Sequence, residues 1–204
     1  MSTIPTPPDF RSGRTHRSLI SAWHGEEQSR RQYTAAAVLC EREGLHVLAH
    51  AFTFTALQEK EHAAICRGLL VAYGGETPPP APDAPPLPDA PEALLNAVLR
   101  TEEDEAAKLY PACARTALEE GYPRIALTFQ RLAETELLHA RRFRQYAAAL
   151  QDGSLFRSDT RTGWLCIPCG HLHYGCEAPG HCGTCGRDRG HFIRSDFHPF
   201  TVVP

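Results

Sequence analysis

The segment that decides the fold is Glu59-Lys60-Glu61-His62, which has a counterpart in Glu136-Leu137-Leu138-His139. In each segment, a glutamate precedes a histidine by three residues. Residues three apart lie on the same face of an α-helix, so each segment presents a carboxylate beside an imidazole. Two such segments, 77 residues apart, indicate a repeated helical unit that carries paired metal-ligand residue types.

The sequence around these segments repeats with the same offset. Glu43-Gly44 falls on Glu120-Gly121, and Tyr33 falls on Tyr110. The flanking text is rich in Ala, Leu, Glu and Arg, which favours helix on both sides of each glycine. The repeat therefore predicts two helical hairpins related by a pseudo-twofold axis. Pro111 falls inside the third helix and is expected to kink or bulge it.

A proline-rich segment, residues 75–91, separates the two hairpins and holds eight of the 17 prolines. In polyproline form it would span about 50 Å, at roughly 3.1 Å per residue. That is enough to run the length of a helix of about 28 residues. The linker therefore predicts a long crossover between helices 2 and 3, as in ferritin-like four-helix bundles.

The composition changes after Gly153, from helical text to Gly, Cys, His and aromatic residues. We therefore expect three parts. Residues 1–14 would form a flexible N-terminus, residues 15–152 an all-α four-helix bundle containing the 75–91 crossover, and residues 153–204 a small cysteine-rich domain.

The overall composition excludes several classes of protein. The chain has 204 residues, 42% of them hydrophobic, and a net charge of −3. This balance is typical of a globular protein and offers no basic surface for nucleic acid. No apolar run approaches 18 residues, and the N-terminus lacks the pattern of a secretory signal. We expect a cytoplasmic protein with no membrane or nucleic-acid partner.

Counted from the glycine turns, several acidic residues lie at the same height along the bundle as the histidines His62 and His139. At about 1.5 Å per residue, a mid-bundle belt forms from five glutamates and two histidines: Glu26, Glu59, His62, Glu102, Glu105, Glu136 and His139. Buried carboxylates need compensating cations, and this oxygen-rich set with two imidazoles suits Fe or Mn. The repeat aligns Glu103, not Glu102, with Glu26, so this position stays open.

A second candidate metal site lies in the C-terminal part. Cys166-Ile-Pro-Cys169 and Cys182-Gly-Thr-Cys185 have the spacing of one tetrahedral Cys₄ site, with a glycine after each pair. Such a site binds either zinc or iron, and its geometry alone does not separate the two metals. His46 and His50 are interpreted as surface or core residues and not as ligands. Four histidines of the cysteine-rich part are interpreted as surface residues, one of which could replace a cysteine as ligand: His171, His173, His181 and His191.

In order along the chain, these motifs resemble the rubrerythrin family. The resemblance rests on Gly25-Glu26-x-Gln28, Gln58-Glu59-Lys60-Glu61-His62, Glu102-x-x-Glu105, Tyr110-Pro111, Glu136-x-x-His139 and Trp164-x-Cys166-x-x-Cys169 with Cys182-x-x-Cys185. It covers about residues 15–195. It implies a ferritin-like bundle followed by a rubredoxin-like, zinc-ribbon-like Cys₄ domain.

The resemblance also implies an activity. Such a protein would be a non-haem di-iron oxidoreductase, a peroxidase that reduces hydrogen peroxide to water and acts in oxidative stress. Electrons would be relayed through a mononuclear Fe(Cys)₄ centre. The donor would be a rubredoxin or an NAD(P)H-dependent reductase, and the chain would form a homodimer or a larger homo-oligomer.

The family pattern implies a role for each site residue. Glu59 and Glu136 would bridge two irons, Glu26 would bind the first iron, and Glu102 with His139 the second. Glu105 and His62 would exchange at the first iron on reduction. Tyr33 and Tyr110 would lie beside the di-iron site.

Two other functions fit the same motifs. The bundle could oxidise or store Fe(II), as a ferroxidase, with a structural Zn(Cys)₄ domain. Alternatively, zinc could fill both sites of a protein scaffold. Faster turnover with O₂ and Fe(II) than with peroxide would favour the ferroxidase, and inertness to dithionite and ferricyanide would favour the zinc scaffold.

Overall fold

The computed structural model describes residues 9–83 and 85–197. Two helical hairpins form the bundle, as predicted. The first consists of α1 (Arg14–Arg42) and α2 (His46–Ala72). In the second, α3 (Pro91–Asp104), a π-helical turn (Glu105–Leu109) and α4 (Tyr110–Glu119) form one bundle helix that pairs with α5 (Pro123–Gln151). No helix among the described residues is long and apolar enough to cross a membrane.

The two predicted glycine turns join the helices of each hairpin. Gly44 has a φ of +70° and Gly121 a φ of +83°, which is the left-handed conformation that glycine adopts without strain. Pro111 is the second residue after the π turn, so the predicted bulge in the third helix is confirmed. A proline removes one helical hydrogen bond, and a π turn is a usual way to accommodate that loss.

The proline-rich segment forms the predicted long crossover and follows the surface of α1. Side chains of α1 bind its backbone carbonyl groups: Gln28 donates to Pro82, Arg31 donates to the same carbonyl at 2.7 Å, and Gln32 donates to Pro85. A proline-rich strand cannot satisfy its carbonyls with its own N–H groups. The polar face of α1 supplies the missing donors.

Residues 9–14, the last part of the segment expected to be a flexible N-terminus, are among the described residues. A 3₁₀ turn, Phe10–Ser12, precedes α1. The Phe10 ring is buried against Tyr73 and Tyr122, with ring centroids 5.5 and 5.4 Å away. Burial of this large aromatic ring stabilises the contact of the turn with the bundle. Residues 1–8 of the expected flexible segment lie outside the described residues.

The apolar core of the bundle consists of two separate clusters. One contains Tyr33, Phe52 and Phe143, whose phenylalanine rings stack 4.9 Å apart. The other contains Tyr110 and Phe129. The buried acidic and histidine side chains lie between these clusters, so both ends of the polar layer are sealed from water by packed apolar residues.

The C-terminal domain is a three-stranded antiparallel sheet with strand order β2-β1-β3. Its strands are β1 (Arg157–Cys166), β2 (Leu172–Glu177) and β3 (Phe192–Arg194). Trp164 and Phe192 are fully buried and form its small core with two of the cysteines. His191 is also buried, which differs from its interpretation as a surface residue, because the domain packs against the start of α2.

Candidate metal centres

The π-helical turn decides which glutamate of the third bundle helix faces inward. Tyr33 lies seven positions after Glu26, but Tyr110 lies eight positions after Glu102. The π turn lies between Glu102 and Tyr110 and accommodates one extra residue. Glu102 is consequently buried, whereas Glu103 lies at the surface in an ion pair with Arg144. The 77-residue offset, which favours Glu103, does not apply before the π turn.

Three carboxylates from three helices surround the ring of His62. Its Nδ1 atom lies 3.5 Å from Oε2 of Glu26 on α1 and 3.3 Å from Oε2 of Glu59 on α2. Oε1 of Glu136, on α5, is 3.0 Å away. These four residues are all buried, and their ligand atoms lie within 4.8 Å of one another.

A matching set surrounds His139. Its Nδ1 atom lies 3.0 Å from Oε1 of Glu59, 3.5 Å from Oε2 of Glu102 and 2.7 Å from Oε2 of Glu136. Glu59 and Glu136 therefore belong to both sets, with one oxygen directed at each histidine. Shared carboxylates between two donor sets are the arrangement of a two-metal site. The two sets together are called the buried cluster: Glu26, Glu59, His62, Glu102, Glu136 and His139.

The chemistry of the buried cluster fits two metal cations. Eight buried side-chain atoms lack a hydrogen-bond partner among the described residues, and all eight belong to the cluster. An unpaired buried carboxylate oxygen or imidazole nitrogen is costly unless a cation binds it. Four carboxylates and two imidazoles form a donor set that suits iron or manganese.

The pKa values in the buried cluster show the same need for cations. Burial raises the pKa of Glu26 well above its usual range and that of Glu102 to about 8. Burial lowers the pKa of a histidine, but the surrounding carboxylates outweigh it and raise the pKa of His139 to about 11. The same balance raises the pKa of His62. Protons thus take the places that divalent cations would fill, and metal binding would release them.

Two tyrosines hold the outer carboxylates. Tyr33 donates to Oε1 of Glu102 at 2.5 Å, and Tyr110 donates to Oε1 of Glu26. Both tyrosines are buried, and burial together with the nearby carboxylates raises their pKa values well above the usual range. They stay protonated and act as hydrogen-bond donors.

Glu105 differs from the other predicted site residues. It is the first residue of the π turn, is half-buried and is not among the donor sets of the described residues. Its Oε1 atom approaches Gly25 on α1, 3.8 Å from the point where a Cβ would lie. Burial, Glu102 and Glu136 raise its pKa. The expected i, i+3 pair of Glu102 and Glu105 does not converge, because the helix widens at Glu105.

Two residues near His139 were not predicted as part of the site. Oε1 of Gln58 lies 3.1 Å from Nε2 of His139, and Arg142 donates to Gln58 and, at 2.8 Å, to Thr55. An acceptor at Nε2 fixes the proton there and leaves Nδ1 free for a metal. The spacing of His139 and Arg142, three residues apart on α5, was the available signal.

The four predicted cysteines converge in the C-terminal domain. Sγ of Cys166 lies 3.6 Å from that of Cys185, and the same distance separates Cys169 from Cys182. All four are free thiols within one group. Sulfur atoms bound to one tetrahedral zinc or iron lie about 3.8 Å apart, given bonds of about 2.3 Å. The group therefore fits one metal ion.

The backbone prepares this site for thiolates. Gly170 and Gly186, each after a cysteine pair, both have a φ of +74°, which closes the two turns. Burial would raise the pKa of Cys182, but N–H groups of Cys185 and Thr184 outweigh this effect and lower it to about 6. A thiolate is the form that binds a metal.

Known proteins resemble this chain over most of its length. Residues 18–147 match the family model for rubrerythrin. The chain is 32% identical to rubrerythrin of Nitratidesulfovibrio vulgaris over 90% of this chain and 95% of the relative. Its identity to rubrerythrin of Porphyromonas gingivalis is 34%, over 90% of each.

Solved structures agree on the fold. A structure of nigerythrin in a mixed-valence state has a TM-score of 0.61 and 27% identity, covering 95% of this chain and 91% of that chain. The bacterioferritin of Desulfovibrio desulfuricans has a TM-score of 0.67 at 18% identity, covering 72% of this chain and 85% of that one. The fold is thus a ferritin-like bundle followed by a rubredoxin-like region with a four-cysteine cluster. The buried cluster is a candidate di-iron site, and the cysteines are a candidate Fe or Zn site. With two full-length relatives and a match across the whole bundle, the chain belongs to the rubrerythrin family.

Proposed function

We propose that this chain is a non-haem di-iron peroxidase that reduces hydrogen peroxide to water. The reaction consumes two electrons and two protons per peroxide and yields two water molecules. The observation that carries the proposal is the occurrence in one chain of a two-metal donor set, sharing Glu59 and Glu136, and a separate four-cysteine group. The first suits a two-electron reaction, and the second suits delivery of electrons one at a time.

The side chains of the buried cluster divide into bridging and terminal ligands. Glu59 and Glu136 each direct one oxygen at each histidine, so they are proposed as bridges. Glu26 with His62, and Glu102 with His139, would complete the two positions. When bound, two ferrous ions would supply the two electrons that cleave the O–O bond without releasing a radical.

Other residues would hold these ligands in place. Tyr33 and Tyr110 fix the outer carboxylates, and Gln58 fixes the proton of His139 on Nε2. Glu105 lies next to the buried cluster without joining it. It is proposed as the carboxylate that exchanges with His62 when the charge of the site changes, since a raised pKa lets it rest uncharged beside the cluster.

The proposal extends to partners that would deliver electrons. A rubredoxin or an NAD(P)H-dependent reductase would reduce the Fe(Cys)₄ centre, of which Cys169 and Cys185 are exposed. A homodimer would bring this centre of one subunit near the di-iron site of the other. A reducing cytoplasm would keep all eight cysteines as thiols, in agreement with their free state.

The experiment that tests this function has two parts. Metal content and a visible spectrum are measured first on protein purified without added metal. About three Fe per chain, two in the carboxylate site and one in the cysteine site, are expected. The protein is then reduced anaerobically and mixed with stoichiometric peroxide, and re-oxidation of both centres is followed.

Rapid re-oxidation of both centres supports the peroxidase. Zinc in the cysteine site, together with faster turnover of Fe(II) with O₂ than with peroxide, would contradict it and favour a ferroxidase. Two zinc-filled centres that do not respond to dithionite or ferricyanide would instead identify a scaffold protein.

A further inference from the structure

A third cluster of ligand-type side chains lies where the cysteine-rich domain contacts the bundle. It consists of His46, Asp188 and His191, and we call it the domain-contact cluster. His46 is the first residue of α2, Asp188 caps the 3₁₀ turn Arg189–His191 that leads into β3, and His191 is the last residue of that turn. Their potential ligand atoms lie within 4.8 Å of one another. None of the three belongs to the two centres described above.

The distances within this cluster suit a small cation. Nε2 of His46 lies 3.8 Å from Oδ2 of Asp188, and Nδ1 of His191 lies 3.1 Å from Oδ1. The two imidazole rings stack, with centroids 3.8 Å apart and an angle of 24° between their planes, so one ring would have to turn for nitrogens of both to bind the same ion. Two ligands about 2.1 Å from a tetrahedral zinc ion lie about 3.4 Å apart, between the two observed separations.

A carboxylate outside the cluster orients the His46 ring. Nδ1 of His46 lies 3.2 Å from Oε2 of Glu41, near the end of α1. A carboxylate can only accept a hydrogen bond, so the proton is on Nδ1 and the lone pair of Nε2 faces Asp188. Metal-binding histidines usually have such a carboxylate behind them. This contact is independent of the three ligands and points to the same use.

At this cluster the cysteine-rich domain packs closely against the bundle. His191 is only 7% exposed, whereas the Asp188 side chain is 55% exposed, so the cluster has a protein side and a solvent side. A Cβ at Gly190 would overlap the carbonyl oxygen of Gly44 and would lie 3.0 Å from Cδ2 of His46. Only glycine at position 190 allows this approach.

We infer that the domain-contact cluster binds one Zn²⁺ or a similar first-row divalent cation. His46, through Nε2, with His191 and Asp188 would be the ligands, and water would fill the position open to solvent. Two imidazoles and one carboxylate are donors that zinc accepts. The carbonyl of His191 accepts a hydrogen bond from Ile167, within the first cysteine turn. The cation would thus tie that turn to the loop between α1 and α2.

The test counts metal in the full-length protein. The metal content of the other two centres is determined first, and the protein is then dialysed against Zn²⁺ and analysed again. The wild type is expected to gain one Zn²⁺ per chain. His46→Gln and Asp188→Asn should lose this ion or bind it at least about tenfold more weakly. His173→Gln, which changes a histidine of the same domain outside the cluster, should retain it.

A fourth variant disrupts the contact between the cysteine-rich domain and the bundle without changing a ligand. Gly190→Ala would push the domain away from Gly44 and should also lose the additional ion. His46→Gln is the deciding variant, because His46 lies on the bundle and outside the cysteine-rich domain, and unchanged metal in the other two centres would show that the fold is retained. No additional Zn²⁺ in the wild type, or an equal gain in wild type and His46→Gln, would overturn the inference.

Discussion

The phenolic hydroxyl of Tyr33 on α1 donates a 2.5 Å hydrogen bond to Oε1 of Glu102 on α3, and an equivalent contact occurs in the other half of the bundle. Tyr110 donates to Oε1 of Glu26, so each helix restrains the carboxylate of the other. With Oε1 held, Oε2 of each glutamate faces a histidine at 3.5 Å: His139 for Glu102 and His62 for Glu26. The tyrosines therefore set the direction of both terminal ligands.

We expect Tyr33→Phe to weaken the site without unfolding the bundle. The substitution leaves Oε1 of Glu102 buried without its donor and free to turn away from His139. Metal affinity should fall about 10- to 100-fold, as for other lost contacts to a ligand. Iron content after dialysis and the rate of re-oxidation by peroxide measure this effect.

Tyr146→Phe is the control for this prediction, because Tyr146 is also a buried tyrosine but lies in the apolar cluster and not against a carboxylate of the site. It should keep the iron content and the rate of the wild type. Equal behaviour of the two variants would show that the Tyr33 hydroxyl does not orient Glu102.

Glu59→Ala should leave the bundle unable to hold two metal ions. Glu59 directs Oε1 at His139 and Oε2 at His62, with 3.0 and 3.3 Å separations, so its loss affects both positions at once. Fewer than two metals per bundle are expected by metal analysis. Glu61→Ala, an exposed glutamate on the same helix, is the control and should retain both. Two metals bound to Glu59→Ala would refute the bridging role.

The sequence predicts the positions of most of the buried cluster because helix rise is nearly constant. Counting residues from Gly44 and Gly121 places Glu59, His62 and His139 at one height, and the structure brings them together. The same count cannot choose between Glu102 and Glu103. One extra residue in a π turn changes which side chains of the preceding helical segment face inward. The constant 77-residue offset cannot show where along the helix that extra residue lies.

Contacts between distant segments were the features that the sequence did not reveal. Gln58 binds the ring of His139 across 81 positions, and a single glutamine beside a motif has no distinctive spacing. The burial of His191 depends on the docking of a separate domain near Gly44. Local patterns predict helices and metal-ligand spacing, but such docking depends on the shapes of two finished surfaces.

Cys182→Ser should separate electron delivery from the reaction with peroxide. Despite burial, backbone N–H groups lower the pKa of Cys182 to about 6, and its Sγ lies 3.6 Å from that of Cys169, so Cys182 is suited to bind a metal as a thiolate, which serine does not replace. The variant should lose the metal of the cysteine site and fail to turn over with an electron donor. A chemically reduced bundle should still react once with peroxide.

Cys176→Ser controls for the loss of a thiol in the same domain, since Cys176 is exposed and outside the four-cysteine group. It should turn over like the wild type. If Cys182→Ser loses the single reaction as well, the cysteine site would be needed for folding of the bundle and not for electron relay.

Glu120 should make the stability of the bundle depend on acid pH. Its carboxylate accepts hydrogen bonds from the backbone N–H groups of Arg14 and Thr15 and from the Thr15 hydroxyl, and so caps α1 from the opposite hairpin. Gly13, the N-cap residue, has no side chain to do this. Burial acts to raise the pKa of Glu120, but the contacts with Thr15 and Arg14 outweigh it and lower the pKa to about 2.

A carboxylate with a lowered pKa stabilises the folded state above its ordinary pKa of 4.5, and this contribution is lost as the pH falls towards 2. Glu120→Gln should therefore reduce the free energy of unfolding by about 1 kcal/mol at neutral pH, the usual value of a helix cap. The difference from wild type should shrink between pH 4.5 and 2. Thermal unfolding over this range measures it, with Glu119→Gln, an exposed neighbour that pairs with the Arg14 side chain, as the control. A constant difference at every pH would mean that Glu120 acts through its shape and not through its charge.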